Sequence, residues 1–190
     1  ILLCDVPDGA GLRKALDQQT GEVIEELWQS GLTGRGGAGF PTARKWRLAA
    51  ETHAERRIVI CNADEGEPGT FKDRVLLTER AELMIEGMTL AAYAIHSNQG
   101  LIYLRAEYAY LAPYLESVLQ DRRDKGMLGK NICGKPGFDF DIRIQMGAGA
   151  YICGEESSLI SSCEGLRGEP KNRPPFPAQS GYLGFPTIAD

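Results

Sequence analysis

Apolar positions recur at helical spacing near the start of the chain, at Leu12, Ala15 and Leu16 and again at Val23, Ile24 and Leu27. This face predicts a helix over 11–30, interrupted near Gly21 and stopped by Ser30-Gly31. The periodicity then vanishes, and residues 31–39 contain five glycines. Pro41-Thr42 leads into a short helix over 43–46, with Trp46 as a core anchor. Residues 57–62, apolar without a break from Ile58 to Cys61, read as a buried strand, and the polar, turn-rich stretch over 62–73 as a loop. Residues 76–96 read as a helix with Leu83, Met84, Gly87, Met88, Ala91 and Ile95 along its buried face, Gly87 allowing close packing. A second strand is expected over 100–104 and a helix over 110–120. Residues 138–144 alternate, Phe138-Asp139-Phe140-Asp141-Ile142-Arg143-Ile144, so a third strand has one more exposed face. A second glycine-rich turn over 147–154, a helix over 156–162 and a Gly- and Pro-rich loop from Gly165 complete the pattern.

Strands that alternate with helices, with glycine loops after strands, predict an α/β fold. It is Rossmann-like, with a largely parallel sheet flanked by helices. Such a sheet places its ligand outside the carboxyl ends of its strands. The organisation expected is an N-terminal helical lead-in over 1–30 and an α/β domain over 31–190. A chain of 190 residues, 43% hydrophobic, can supply one sizeable core. The formal charge of -5 argues against a non-specific nucleic-acid binder, whose surface is usually basic. No apolar run reaches membrane-spanning length. The opening Ile1-Leu2-Leu3-Cys4-Asp5 has no basic leader and no initiator Met, so a processed protein or an excised segment is expected. The five cysteines, Cys4, Cys61, Cys133, Cys153 and Cys163, form no CxxC pair. They read as reduced thiols in a cytoplasmic protein, with no zinc or cubane iron–sulfur site. His53 reads as a surface residue and His96 as a helix-end residue, neither in a ligand pattern.

Three segments carry candidate chemistry. Gly34-Arg35-Gly36-Gly37-Ala38-Gly39 fits GxGxxG, but no strand immediately precedes it. Its glycines let backbone N–H groups approach an anion or a flat ring, with Arg35 and Lys45 as cationic partners. A structural tight turn is the competing reading. Phe40 either stacks on a ring or simply packs. After the first strand, Asn62-Ala63-Asp64-Glu65-Gly66-Glu67 places three carboxylates within four residues. They can bind a divalent metal, take ribose hydroxyls, or face solvent, and the scarcity of histidine weakens the metal reading. In Gly147-Ala148-Gly149-Ala150-Tyr151-Ile152-Cys153-Gly154-Glu155-Glu156, small residues permit close approach and Tyr151 offers a flat face. Glu155 and Glu156, as neighbours, point apart and do not form a symmetric dyad. The alternative there is a junction with acids at a helix N-terminus. Lys171-Asn172-Arg173-Pro174-Pro175-Phe176 supplies two cations and a placed aromatic, as a lid or a polyproline segment.

Together these blocks resemble the FMN- and NADH-binding subunit family of respiratory NADH:quinone oxidoreductase. That family includes diaphorase subunits of NAD-reducing hydrogenase and NAD-dependent formate dehydrogenase. The resemblance runs from about Gly31 to the end. It implies flavin contacts from Gly34, Arg35, Gly36, Gly37 and Lys45, from Asn62, Asp64 and Glu65, and from Tyr151, Gly154, Glu155 and Glu156. It implies a nicotinamide nucleotide site at Phe40, Glu67, Glu156, Arg173 and Phe176, with Phe40 as a stacking platform. Leu48 stands where an aromatic is common in the family, and Arg173 where lysine is common. Ser161-Ser162-Cys163-Glu164-Gly165 looks closer to the soluble hydrogenase or formate dehydrogenase branch.

The implied cofactors are FMN and NAD(H). A [4Fe–4S] cluster belongs to a C-terminal region beyond this chain, after a ubiquitin-like domain, and a [2Fe–2S] cluster to a thioredoxin-like partner subunit. The implied function is FMN-dependent hydride exchange with NAD(H), feeding electrons through iron–sulfur partners of a hydrogenase, formate dehydrogenase or respiratory module. No nucleic-acid partner is expected, and a respiratory assembly would place the protein peripheral to the membrane. A non-catalytic nucleotide-binding or scaffold fragment of a redox complex is the alternative, and a metal-dependent hydrolase built on the acidic loops is a weaker one.

Overall fold

The computed structural model describes residues 6–190, so Cys4 lies outside the described residues. The expected first helix is two: α1 (Ala10–Leu16) and α2 (Thr20–Gln29). The interruption expected near Gly21 falls just before Thr20. The Glu22 carboxylate accepts the Gln19 N–H at 2.8 Å and so starts a fresh helix. α3 (Thr42–Glu51) follows the glycine loop and buries Trp46. The long helix over 76–96 is also two, α4 (Lys72–Glu79) and α5 (Ala81–Ile95), because Arg80 between them leaves helical geometry at φ -143°.

α5 buries Ile85, Met88, Ala92 and Ile95, while Leu83 is exposed and Gly87 has nothing close to it. The close-packing role expected of Gly87 is therefore wrong. The buried arc is rotated, since α5 packs on β1 and also on α1, α2 and α3. Its Glu86 is buried because its carboxylate accepts the N–H groups of Gly9 at 3.2 Å and Leu12 at 2.8 Å, capping α1.

The sheet comprises β1 (Ile58–Ala63), β2 (Gln99–Leu104), β3 (Asp141–Met146) and β4 (Thr187–Ala189), in the order β3-β2-β1-β4 and all parallel. The Rossmann-like α/β architecture is thus as the pattern implies, with one strand more than expected. β4 is three residues long inside a Pro- and Gly-rich stretch, too short to show periodicity. β3 begins later than the alternation suggests. Phe138 and Phe140 are buried from the preceding loop, and Phe140 lies against Gly100, where an added Cβ would come within 2.6 Å of its ring.

Alternate strand residues serve opposite layers. Val59, Ile102, Leu104, Ile142 and Ile188 pack with α1–α3, α5 and α6 (Ala112–Asp124). Ile58, Ile60, Leu101, Tyr103 and Ala189 pack with Leu159, Ile160 and Cys163 of α7 (Glu156–Cys163). Burial on both faces is what a parallel sheet between two helical layers requires. Ala63, Leu104 and Met146 pair across one edge of the sheet, so the segments that follow β1, β2 and β3 emerge side by side.

Among the described residues, no helix is long and apolar enough to cross a membrane. His53 is exposed, and His96 caps α5 in the left-handed region, as their sequence positions suggested.

Candidate functional site

The end of β1 supplies Asn62 and the acidic loop. The Asn62 amide donates to the Gly154 carbonyl at 2.9 Å, joining this loop to the turn after β3. Asp64 is buried and its Oδ2 has no hydrogen-bond partner. Burial pushes its pKa up to about 6, with Arg105 opposing and Glu107 reinforcing the shift. Glu65 differs sharply from its neighbour. Its carboxylate accepts the Asp73 N–H at 2.8 Å, the Arg74 N–H at 3.2 Å, the Thr70 hydroxyl at 3.0 Å and the Tyr108 hydroxyl at 2.8 Å. Burial works against its charge, but these donors outweigh it and hold Glu65 below the usual carboxylate range. Glu65 therefore anchors the start of α4 in this structure. Glu67 is exposed and accepts the Tyr151 hydroxyl at 2.7 Å.

Arg105 follows β2 directly. Its guanidinium donates to the Glu65 carbonyl, pairs with Glu107 at 2.8 Å, and lies over the Tyr108 ring at 5.7 Å. A polar cleft of about 210 Å³ opens between Asp64, Gly66, Arg105, Glu107, Gly149, Ala150 and Tyr151. Arg105 and Glu107 were missed by sequence reasoning. Their one signal was position, since the residue after a parallel strand faces the ligand edge.

The turn after β3 is held from beneath. Tyr103 is fully buried, and its hydroxyl accepts the Ala148 N–H at 3.0 Å and lies 2.8 Å from Ser162 Oγ. Gly147 suits this tight spot, because a Cβ would lie 3.0 Å from the Tyr103 ring and would have to push it aside. Tyr151 is exposed beyond this turn, and its ring lies against Gly66. Glu155 is the N-cap of α7, accepting the N–H groups of Ser157 and Ser158, each at 3.0 Å. Burial raises its pKa, while the Ser157 hydroxyl, the Ser158 N–H and Arg173 overcome that and bring it below the usual value. Of the two readings of this junction, the one with an acid at a helix N-terminus is what the structure shows. Although Glu155 and Glu156 do not form a dyad with each other, both reach the Arg173 guanidinium, at 2.6 and 2.8 Å.

Lys45 lies on α3, one turn past the glycine loop. Its ammonium donates to the Ala189 carbonyl at 2.6 Å and pairs with Asp190 at 2.8 Å and Glu156 at 3.6 Å. The Trp46 indole N–H donates to the other Asp190 oxygen at 2.9 Å. Trp46 is therefore a core anchor that also serves the site.

The structure brings Lys45, Glu155, Glu156 and Arg173 into one cluster, and Asn62, Asp64, Gly66, Glu67, Tyr151 and Gly154 into another. The glycine loop joins neither by side-chain contact. It closes on itself through the Gly34 N–H to the Phe40 carbonyl at 2.9 Å, and its tip, with Arg35, Gly36 and Gly37, is exposed. Gly37 and Gly39 have φ of 93° and 60°, conformations open to glycine. Phe40 is exposed with the Arg44 guanidinium 5.6 Å over its ring, and exposed Phe176 has Arg173 at 5.8 Å. Leu48 packs against the core.

Buried hydrogen-bond acceptors, exposed glycine N–H groups, paired cations and exposed aromatic faces can together hold a flat, polar, phosphate-bearing molecule. Among the described residues, no group of three or more His, Cys, Asp and Glu is arranged to hold a metal ion. Cys61, Cys133, Cys153 and Cys163 are unbridged, and burial pushes the thiols of Cys61 and Cys163 up to about 12.

Residues 27–188 match the Nuo51 FMN-binding domain model. The NAD-reducing hydrogenase HoxS subunit alpha of Cupriavidus necator is 61% identical over 180 residues, covering 93% of this chain and 30% of the relative. An NADH-quinone oxidoreductase subunit of Escherichia coli is 47% identical over 182 residues, covering 95% and 41%. A crystal structure of an NAD+-reducing [NiFe]-hydrogenase in the H2-reduced state superposes with a TM-score of 0.87 at 46% identity, covering 99% of this chain and 31% of that one. The chain therefore spans well under half the length of these relatives.

Proposed function

This chain belongs to the Nuo51 FMN-binding domain family, and from that premise we propose that it is the FMN-holding domain of a longer oxidoreductase subunit. The subunit exchanges a hydride with NAD(H) and passes electrons to iron–sulfur partners in a hydrogenase, formate dehydrogenase or respiratory module. The residues present fit FMN. The observation that carries the reading is the buried Asp64 carboxylate, which has an unpartnered Oδ2 and belongs to a residue lining the cleft at the sheet's carboxyl edge. A buried polar atom left without a partner is costly, and a ligand's N–H or hydroxyl group removes that cost. An exposed glycine loop lies on the chain before Lys45.

In this reading Arg35, Gly36 and Gly37 meet the anionic phosphate of the cofactor, Gly34 closes their loop on Phe40, and Lys45 lies beside the flavin. Asn62, Asp64, Tyr151 and Gly154 hold its hydroxyls and ring edge. Glu65 acts from one step behind, by fixing the acidic loop onto α4. Glu155 fixes the start of α7, and through Arg173 it orients the Pro-rich segment that carries Phe176. Phe40, Glu67, Glu156, Arg173 and Phe176 form the nicotinamide nucleotide site, the exposed aromatics stacking and the charged groups meeting ribose and phosphate. Bound FMN supplies hydride acceptance from a two-electron donor and one-electron release to iron–sulfur carriers. The protein contributes orientation and a fixed charge pattern. Within the family, Ser161-Ser162-Cys163-Glu164-Gly165 supports the hydrogenase or formate dehydrogenase branch.

Titration of FMN into the cofactor-stripped full subunit, monitored by flavin fluorescence, tests the reading. One FMN bound per chain is expected, weakened about ten-fold or more by Asn62→Ala. No binding by the unsubstituted subunit would contradict it.

A further inference from the structure

The geometry points to Asp190 as a positioning residue that, with Glu156, cancels the charge of Lys45 and so keeps the reduction potential of the bound flavin low. The inference rests on the FMN reading above and adds a residue and a purpose to it.

Five charged groups form one alternating chain. Asp190 meets Lys45 at 2.8 Å, Lys45 meets Glu156 at 3.6 Å, Glu156 meets Arg173 at 2.8 Å, and Arg173 meets Glu155 at 2.6 Å. The chain crosses from the end of β4 through α3 to α7 and the Pro-rich segment, so it ties four separate segments together. Acids exceed cations by one, and Asp190 is the member that tips the balance. Without it, two acids would face two cations.

Asp190 is built into its place. Its N–H donates to the Ile60 carbonyl at 3.1 Å, and its carbonyl accepts the Asn62 N–H at 2.9 Å, continuing the β1–β4 ladder. One carboxylate oxygen takes Lys45 and the other takes the Trp46 indole. The Ala189 carbonyl takes a second Lys45 proton at 2.6 Å. Only 18% of the Lys45 side chain remains exposed, so solvent screens this cluster less than it would a surface pair. A lysine beside a flavin would stabilise the negative charge gained on reduction. Here that lysine is held by two carboxylates and a carbonyl. The flavin therefore meets an environment with excess negative charge, which disfavours its reduced, anionic form. A low potential suits a site that must run close to balance with a nicotinamide.

The test is the reduction potential of bound FMN in the full subunit, wild type against Asp190→Asn, measured by anaerobic dye equilibration. Asp190→Asn keeps the shape and removes the charge. The preference for reduced over oxidised FMN should grow about ten-fold, a rise of about 30 mV for a two-electron couple. Asp190→Glu, which restores the charge, should return most of the shift. If Asp190→Asn alone does not fold, Lys45→Gln is compared with Lys45→Gln/Asp190→Asn, a pair that leaves no unpaired lysine, and the same upward step is expected. A potential unchanged or lowered by removing the Asp190 charge, in a subunit that holds FMN, overturns this inference and leaves the FMN reading standing. A wild-type subunit that holds no FMN overturns both.

Discussion

Asp64 and Glu65 are adjacent carboxylates with opposite fates. The Glu65 carboxylate accepts four hydrogen bonds, and Asp64 keeps one oxygen unpartnered. The pattern Asp-Glu-Gly-Glu showed that acids crowd the end of a strand, and that much was legible. Which of them would be occupied was not, because the partners of Glu65 come from α4 and from Tyr108, far along the chain. The raised pKa of Asp64 has a consequence for stability. A carboxyl whose folded pKa is about 6 holds its proton better folded than unfolded, where its value is 3.8. It penalises the folded state progressively as pH rises from about 4 through 6, and the full penalty applies above 6. Asp64→Asn should therefore stabilise the cofactor-free protein relative to wild type more at pH 7 than at pH 4.5, by roughly 1–3 kcal/mol. Urea denaturation at the two pH values measures this. An equal difference at both would show that Asp64 is not held as described.

At the scale of elements, the strands were readable wherever burial was uniform or periodic. β1 and β2 are apolar on both faces, so a continuous run marks each. β4 was not readable, since three residues carry no period and its pairing with β1 is a long-range event. The interruption near Gly21 was readable to within a few residues, whereas the break at Arg80 was hidden, because it depends on local backbone geometry rather than composition. α7 shows how an element serves the site. Its N-cap is Glu155, which also grips Arg173. Glu155→Ala should cost about 1–2 kcal/mol through the lost cap, visible as a lower urea midpoint with unchanged denaturant slope. An unaltered midpoint would mean that the cap contributes nothing.

At the scale of the whole molecule, a parallel sheet sets the loops after β1, β2 and β3 along one edge, and β4 adds Asp190 to the same region. The sequence motifs identified the acidic loop, the second glycine turn and the Arg173 segment as separate features. Only the fold shows that Asn62 binds Gly154, that Glu67 binds Tyr151, and that Lys45 reaches Glu156. Arg105 and Glu107 escaped notice because a cation and an acid after a strand carry no motif of their own. The chain accounts for 30% of the hydrogenase relative and 41% of the quinone-oxidoreductase one, so the proposed electron transfer is to be measured on the longer subunit.

The central claim is hydride exchange between NAD(H) and a flavin held at this edge. The measurement that bears on it most directly is the absorption of the FMN-loaded full subunit, mixed with NADH without oxygen. Bleaching of the oxidised flavin bands is expected on mixing, slowed about ten-fold or more by Phe40→Ala at limiting NADH. A flavin that stays oxidised in the presence of excess NADH would contradict it.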